Sequence, residues 1–168
     1  MNEYAGNLNL NLSGQISYKD YRNTLLELSF KSTKAWISIL VLSAIAMLVL
    51  REPFSPFTWL ILFGILCFMT FFSVIYSAKS IYRENKSFHE KFTYHLDNEK
   101  ITITSETANA TQKWSRFFEI KETQTSFVLY HDSIVANYLD KKMFSAEEIV
   151  EFRKFLNSLD VKKKLKKG

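Results

Sequence analysis

The chain has 168 residues, is rich in apolar and aromatic side chains, and carries a formal net charge of +5. Five lysines among the last seven residues account for this excess, and no zinc-finger spacing, ribonucleoprotein motif or basic helical stripe accompanies them. We therefore expect no nucleic-acid partner and attribute the basic character to the C-terminal end.

The N-terminal segment predicts one strand followed by one short helix. From Leu8 to Leu12, leucine alternates with asparagine, which is the period of a strand. Ser17 and Asp20 then have the spacing of a helix cap, and a helical apolar face follows. A lone strand is not stable, so it must pair with strands from later in the chain. We expect residues 1–34 to be a cytoplasmic strand and amphipathic helix that join the C-terminal domain.

The next stretch is almost free of charge and predicts a transmembrane helical hairpin over residues 35–78. Residues 54–78 are 25 uncharged residues, enough for a spanning helix, which needs about 20. Residues 35–50 are only 16 residues, but the basic side chains at their ends can reach the headgroups. A chain of this size could hardly bury two such helices in a soluble core. We therefore expect two spans joined by a tip at Arg51–Pro53.

Basic residues flank this hairpin on the side of both chain ends. Lys31 and Lys34 precede it, and Lys79 and Arg83 follow it, whereas the tip carries one arginine beside one glutamate. The positive-inside rule then places both termini in the cytoplasm. The expected localisation is the cell inner membrane, as a multi-pass protein whose working surface is cytoplasmic.

Residues 79–160 have the pattern of short antiparallel strands followed by one helix. Ser145 and Glu148 form a capping box at the start of that helix. The predicted fold class is α+β: the transmembrane hairpin plus a small antiparallel β-sheet or open barrel, capped by the C-terminal helix. The predicted strands, separated by polar turns, are residues 88–96, 101–103, 114–120, 127–130 and 134–138.

Residues 161–168 are predicted to be a lysine-rich tail. Each lysine held close to an anionic leaflet contributes about 1 kcal/mol of membrane affinity. A solvated terminus that only aids solubility explains the same pattern equally well. The candidate lipid contacts are Lys162, Lys163, Lys164, Lys166 and Lys167.

Four short runs carry a resemblance to a known family: Trp114–Ser115, Ile120–Thr123, Phe127–Tyr130 and Lys141–Ser145. Together with the order of strand, helix, two spans and domain, they resemble the YcxB-like proteins of bacteria. The resemblance implies a C-terminal domain similar to bacterial pleckstrin-homology (PH) folds. It brings no catalytic residues, because none are established for the family.

Within the resembling region, three residues are candidates for an interaction surface. Lys141 and Lys142 lie in the loop before the last helix, where family members usually have a proline at the position of Asp140. Trp114 is the third candidate, although a place at the centre of the domain core explains a tryptophan there more often than a binding role.

Motifs for chemistry are scarce in the sequence. His89, His95 and Asp97 could share one strand face and hold a metal, but two solvent-facing histidines are the commoner arrangement. We find no phosphate loop, dinucleotide fingerprint or nucleophile elbow, and we expect neither enzyme activity nor a cofactor.

Three functions are compatible with these features. We favour an inner-membrane protein that presents a cytoplasmic PH-like domain for protein or lipid interaction, with membrane lipids as partners and a protein partner as an open alternative. The second is a membrane-bound immunity protein that neutralises a toxin. The third is a metal or small-molecule enzyme that uses His89, His95 and Asp97.

Overall fold

The structure is a computed structural model that describes residues 6–50, 55–133 and 135–166. The predicted tip at Arg51–Pro53, Ile134 and the candidate Lys167 lie outside these ranges. The helices are α1 (Tyr18–Phe30), α2 (Thr33–Leu50), α3 (Pro56–Glu84) and α4 (Ala146–Ser158). The strands are β1 (Asn9–Gly14), β2 (Phe92–Asp97), β3 (Lys100–Thr104), β4 (Asn109–Lys113), β5 (Glu119–Glu122), β6 (Ser126–Tyr130), β7 (Ala136–Asp140) and β8 (Lys162–Lys164).

The described strands form two four-stranded sheets, where the sequence suggested one small antiparallel sheet or barrel. The first sheet has the order β1-β2-β3-β4 and is antiparallel throughout. The second has the order β7-β6-β5-β8, and its β5–β8 pair is parallel. The class α+β is therefore confirmed, whereas the expectation of a purely antiparallel sheet is wrong at β8.

Both sheets and α4 share one hydrophobic core. Leu12 and Leu96 enter it from the first sheet, Phe127 from the second, and Phe152 from α4, and all four are almost fully buried. Each large apolar side chain buried in this way contributes about 1.5–3 kcal/mol to folding. Helix α4 begins with the predicted capping box, in which Ser145 and Glu148 each bond to the other's backbone N–H.

The helices α1, α2 and α3 are an insertion between two neighbouring strands. The strand β1 pairs with β2 over its whole length, from Asn9 opposite Asp97 to Gly14 opposite Phe92. The N-terminal strand thus pairs with a strand from beyond the apolar segments, as expected. The chain leaves the sheet at Gly14 and returns at Phe92, about 5 Å away, so two covalent connections hold the helices to the sheet.

The apolar helices differ in length. Helix α3 has 29 residues and, in the described part of the chain, is the one helix long and apolar enough to cross a membrane by itself. Residues 33–49 of α2 meet the same criterion only when joined to α1, from which they are bent by 64°. The bend lies at Lys31–Ser32, between the end of α1 and the start of α2.

Two strands predicted from the sequence are interrupted. The expected strand over 114–120 is wrong, because a short 3-10 helix at Trp114–Arg116 separates β4 from β5. The first residue of this helix, Trp114, is buried and held by two hydrogen bonds. Its backbone N–H donates to Glu99 O at 3.1 Å, and its ring N–H donates to Asp97 O at 2.8 Å. A second 3-10 helix at Lys86–His89 replaces the start of the strand predicted over 88–96.

The C-terminal lysines are not a free tail in the described residues. Lys162, Lys163 and Lys164 form β8, which adds a parallel strand beside β5. The Lys163 ammonium group fixes this strand by donating to the carbonyls of Leu156 at 3.1 Å, Asn157 at 2.7 Å, and also Leu159. These carbonyls lie at the C-terminal end of α4, where backbone acceptors lack partners within the helix, so the Lys163 ammonium group attaches β8 to that end of α4.

Candidate functional site at the α1–β5 cleft

A cavity of about 120 Å³ lies where the C-terminal end of α1 meets β5 and β8. We call it the α1–β5 cleft. The C-cap lysine of α1, one lysine each from β5 and β8, and two carboxylates surround it, so charged residues from distant parts of the sequence meet here on a concave surface. Its lining residues are Glu27, Leu28, Lys31, Ser32, Lys121, Glu122, Thr123 and Lys164.

Two of the cleft lysines are direct neighbours on adjacent strands. Lys121 of β5 lies opposite Lys164 of β8 in the parallel ladder, and like charges in this position destabilise a sheet. The Lys121 ammonium group is 3.1 Å from Glu119, which also lies 3.6 Å from Lys162. Within the described residues, Lys164 has no carboxylate partner. This part of the cleft wall therefore carries uncompensated positive charge.

The carboxylate of Glu27, on the α1 side of the cleft, is already neutralised. It accepts a hydrogen bond from Lys31 at 2.5 Å and one from the Gln124 backbone N–H at 2.6 Å, and Lys166 lies 3.3 Å away. Burial raises the pKa of Glu27, but these hydrogen bonds outweigh it and hold the pKa below its ordinary value. Glu27 thus joins α1 to the turn between β5 and β6.

The second cleft carboxylate, Glu122, is the centre of a buried ion cluster. Its side chain is fully buried and accepts two bonds from Arg153 Nε at 2.9 and 3.1 Å and one from Nη2 at 2.6 Å. Lys141 donates to it at 2.6 Å, and the Lys166 backbone N–H donates at 3.0 Å. Burial raises the pKa of Glu122, but the bonds from Arg153 and Lys141 outweigh it, so the pKa is lowered. The cluster ties β5, α4 and the C-terminal segment together.

Polar contacts attach α1 to the second sheet along its whole length. The Thr24 hydroxyl is 2.9 Å from the Thr125 hydroxyl and donates to Ser126 Oγ at 3.1 Å, and Thr24 is fully buried. One turn earlier, the Asp20 carboxylate pairs with Lys142 and accepts from Ser17 at 2.5 Å. Satisfied polar groups therefore hold this face of the helix to the domain.

Asp20 faces a second buried carboxyl, Asp140. Burial raises the pKa of Asp140, and the nearby Asp20 carboxylate raises it further. Burial acts on Asp20 in the same direction, but its bonds to Lys142 and Ser17 outweigh burial and lower its pKa. The pair is thus asymmetric: the pKa of Asp20 is lowered, whereas the pKa of Asp140 is raised.

Aromatic rings join α1 both to α3 and to the domain. Tyr21 contacts Tyr82 of α3 at 6.3 Å between ring centroids, Phe88 of the 3-10 helix at 4.7 Å and Tyr138 of β7 at 5.2 Å. The Tyr82 hydroxyl donates to Ile16 O at 2.9 Å. Helix α1 therefore connects the apolar helices to the domain through two sets of contacts: aromatic rings around Tyr21, and polar side chains such as Thr24.

The three residues predicted to form an interaction surface, Trp114, Lys141 and Lys142, lie in three different environments. Trp114 is 2% exposed and packs on Phe117, Phe152 and Phe155, so it belongs to the core and offers no surface for a partner. Lys141 is engaged by the Glu122 cluster. Lys142 has an exposed side chain and pairs with Asp20.

Among the predicted lysines that the structure describes, Lys164 alone lines the α1–β5 cleft, while Lys166 approaches it through Glu27. Lys163 caps α4, and Lys162 lies near Glu119. Sequence reasoning did not select Lys31, Lys121 or the two cleft glutamates as a site. Long-range contacts bring them together: the parallel β5–β8 pairing links residues about forty positions apart, and Glu27 attaches α1 to Gln124 and Lys166, and none of these contacts has a local sequence pattern.

The three residues of the metal hypothesis do not form a site. His89 lies in a 3-10 helix with its ring 5.1 Å from that of Tyr82, whereas His95 is 2.8 Å from Asn11 Oδ1 on β1. Asp97 accepts the backbone N–H groups of the turn that follows it. In the described part of the chain, we find no group of three histidine, cysteine, aspartate or glutamate residues placed to hold a metal ion.

Comparisons with known proteins bear on the sheets and α4. Residues 96–156 match the family model of YcxB-like proteins. No curated protein and no solved structure matches the chain. The match runs from the end of β2 to the last turn of α4, and it supports the resemblance of this part of the chain to YcxB-like proteins.

Proposed function

We propose that this chain is an integral membrane protein that presents a cytoplasmic PH-like domain for protein or lipid contact. The observation that carries the proposal is α3. Its uncharged residues 56–78 extend roughly 34 Å, and large apolar side chains point outward along them, among them Phe57 at 75% and Phe68 at 62% exposure. A continuous apolar surface of this length needs a lipid environment.

Helix α2 supplies the second leg of the proposed hairpin. Ile39, Ser43 and Met47 are buried at helical spacing, which is the pattern of a face packed on another helix, and α2 contacts α3. The other side of α2 exposes Leu48 at 78% and Val49 at 74%. A lipid-facing surface explains these exposures, and local thinning of the bilayer together with basic flanks that reach the headgroups compensates for the short length of α2.

The order of the strands supports the PH-like part of the proposal. Four strands form one antiparallel meander, three more form a second, and a helix closes the core that they share. Bacterial PH-like domains, which the resemblance to YcxB-like proteins implies, have this general plan. The helical insertion between β1 and β2 then fixes the domain on the membrane through two connections and through α1.

The cytoplasmic orientation rests on the basic residues near the domain. Lys31 and Lys34 lie at the α1–α2 bend, and Lys79 and Arg83 lie in the last turns of α3. These four residues are at the domain end of the hairpin, which the positive-inside rule places in the cytoplasm.

Extraction of native membranes tests the integral-membrane proposal. We expect the full-length protein to remain in the membrane pellet after washes with 1 M salt and with alkaline carbonate, and to be released by detergent, because apolar contact with lipid is insensitive to both washes. A known peripheral protein of the same membranes serves as the control for release. Release of this chain by carbonate without detergent would contradict the proposal.

A further inference from the structure

We propose that the α1–β5 cleft binds the phosphate of an anionic phospholipid headgroup. The inference rests on the proposed membrane anchoring and adds to it a ligand class and a site. The free lysine tail suggested by the sequence is replaced by a formed cleft, in which Lys31, Lys121 and Lys164 come from three different elements.

The cleft lies where the chain turns toward the apolar helices. Two of its lining residues, Lys31 and Ser32, form the α1–α2 bend. At the same bend, Phe30 packs 6.0 Å from Trp36 and 6.3 Å from Phe71 of α3, and the Trp36 ring N–H donates to Phe30 O at 2.7 Å. Tryptophan prefers the membrane interface. The cleft therefore lies at headgroup depth if the two apolar helices are in the bilayer.

The charges around the cleft leave room for one anion. Glu27 and Glu122 are both satisfied by cations and backbone N–H groups, so neither competes for Lys164. Lys121 and Lys164 lie opposite each other in the β5–β8 ladder, and among the described residues Lys164 is the one of the two without a carboxylate partner, since the Lys121 ammonium group is 3.1 Å from Glu119. A phosphate at Lys164, within reach of Lys121, would supply the missing counter-charge and gain charge-assisted hydrogen bonds.

The size of the cavity favours a phosphate group over a larger ligand. A volume of about 120 Å³ holds a phosphate and part of a glycerol unit, whereas drug-sized ligands need larger pockets. The acyl chains of a lipid would extend toward the apolar surface of α2, which begins at Thr33, two residues beyond Lys31. A soluble phosphate ion has no apolar group that could contact this surface of α2.

The chain offers a matched control for the two central lysines. Lys100 and Lys113 also lie directly opposite each other, on β3 and β4, and both are exposed. They are at the end of the first sheet remote from the helical insertion, and they are not among the residues that line the cleft. The double substitutions K121Q/K164Q and K100Q/K113Q therefore remove the same charge from two cross-strand lysine pairs, one in a parallel and one in an antiparallel ladder.

The test is calorimetric titration of the full-length protein in neutral detergent with dihexanoyl-phosphatidylglycerol. The matching probes are dihexanoyl-phosphatidylcholine and inorganic phosphate. We expect saturable binding of the phosphatidylglycerol, much weaker binding of both other probes, and a loss of affinity of about 30-fold in K121Q/K164Q, since each lysine near an anionic headgroup contributes about fivefold. The K100Q/K113Q protein should bind like the unsubstituted one.

Three outcomes would overturn the inference: no binding of phosphatidylglycerol, equal losses in both double variants, or inorganic phosphate binding as tightly as the lipid. The last would indicate a soluble phosphate-bearing ligand. Near-ultraviolet circular dichroism of each variant shows whether a loss comes from unfolding, and the single substitution K164Q, which removes an exposed side chain, replaces the double variant in that case. Failure here leaves the carbonate extraction result unchanged, so the two proposals fail separately.

Discussion

The domain formed by the two sheets and α4 buries its large apolar side chains, whereas the helices α2 and α3 expose many of theirs. Phe152 of α4 is fully buried, whereas Phe68 of α3 is 62% exposed, although each lies on a helix rich in apolar residues. In the domain, the protein itself shields phenylalanine from water; along α3, the chain supplies no such cover. Apolar composition alone therefore does not show where the core lies. The exposure of the side chains distinguishes the buried core from the surface of α3 that we propose faces lipid.

Helix α1 lies between these regions and differs from both, because it makes polar contacts on its buried side as well as an aromatic contact with α3. It buries Thr24 and Asp20 in polar contacts with the domain and presents Tyr21 to α3. An apolar seam on both sides would let the helix slide, whereas hydrogen bonds with fixed partners set one orientation of the domain relative to the helices.

The largest expected effect compares two phenylalanines. Phe152→Ala removes a ring that packs on Trp114, Phe127 and Phe144, and we expect it to destabilise the domain by about 3–5 kcal/mol. Phe68→Ala should change domain stability by less than about 0.5 kcal/mol. Thermal unfolding of the detergent-solubilised protein, followed by near-ultraviolet circular dichroism, measures both. Equal losses in the two variants would contradict the assignment of Phe68 to a lipid-facing surface.

The second effect comes from the buried ion cluster. Glu122→Gln leaves Lys141 and Arg153 without their anion, and we expect a loss of about 3 kcal/mol. The exposed Glu147, on the outer face of α4, provides the control as Glu147→Gln, with a change below about 0.5 kcal/mol. Urea unfolding at pH 7 gives both values, and a Glu122→Gln protein as stable as the control would contradict a stabilising role for the cluster.

The same carboxylate predicts a dependence on pH. Because the pKa of Glu122 is lowered by folding, its contribution is present above the unfolded pKa and is lost as the pH falls through the folded pKa. The unsubstituted protein should therefore lose stability on acidification more steeply than Glu122→Gln. Unfolding midpoints measured from pH 7 to pH 3 test this, and parallel curves for the two proteins would exclude Glu122 as the titrating group.

A smaller effect is expected at the cap of α4. Ser145→Ala removes the acceptor for the Glu148 backbone N–H, at a cost of about 1 kcal/mol. Ser115→Ala, at an exposed position outside any helix cap, is the matched control. The comparison of their unfolding midpoints isolates the capping contribution, and equal midpoints would show that the box adds nothing.

The smallest effect concerns the carboxyl pair beside α1. The raised pKa of Asp140 means that its contribution is full below the unfolded pKa and declines as the pH rises through the folded pKa. Asp140→Asn keeps the oxygen that accepts the Lys142 backbone N–H at 2.9 Å but removes the repulsion with Asp20. We expect a slightly higher midpoint than the unsubstituted protein at pH 7 and no difference at pH 3. A lower midpoint at pH 7 would contradict the repulsion.

Local patterns in the sequence predicted the elements that local physics controls. The alternation at Leu8–Leu12 gave β1, and the capping box at Ser145 gave the start of α4. Long-range pairing was harder to predict. The segment Lys162–Lys164 has the composition of a solvated terminus, and it forms a strand because it pairs with β5 and because Lys163 bonds to the end of α4. The same long-range pairing creates the α1–β5 cleft, which explains why its residues were not predicted.

Other expectations stay predictions. The domain boundaries at residues 34, 78 and 160 and the absence of enzyme activity have no direct test in the structure. No described residue favours an immunity function over the proposed role, and a protein partner stays an alternative to lipid.

The most direct test of the membrane topology uses the single cysteine, Cys67, which is replaced by alanine to give a background without thiols. Ser55→Cys then places a thiol at the tip end of α3, and Asn157→Cys places one on the exposed side of α4. We predict that a membrane-impermeant maleimide labels Ser55→Cys in intact cells and Asn157→Cys only after lysis. Labelling of both positions from the same side of the membrane would contradict the proposed span and the cytoplasmic domain.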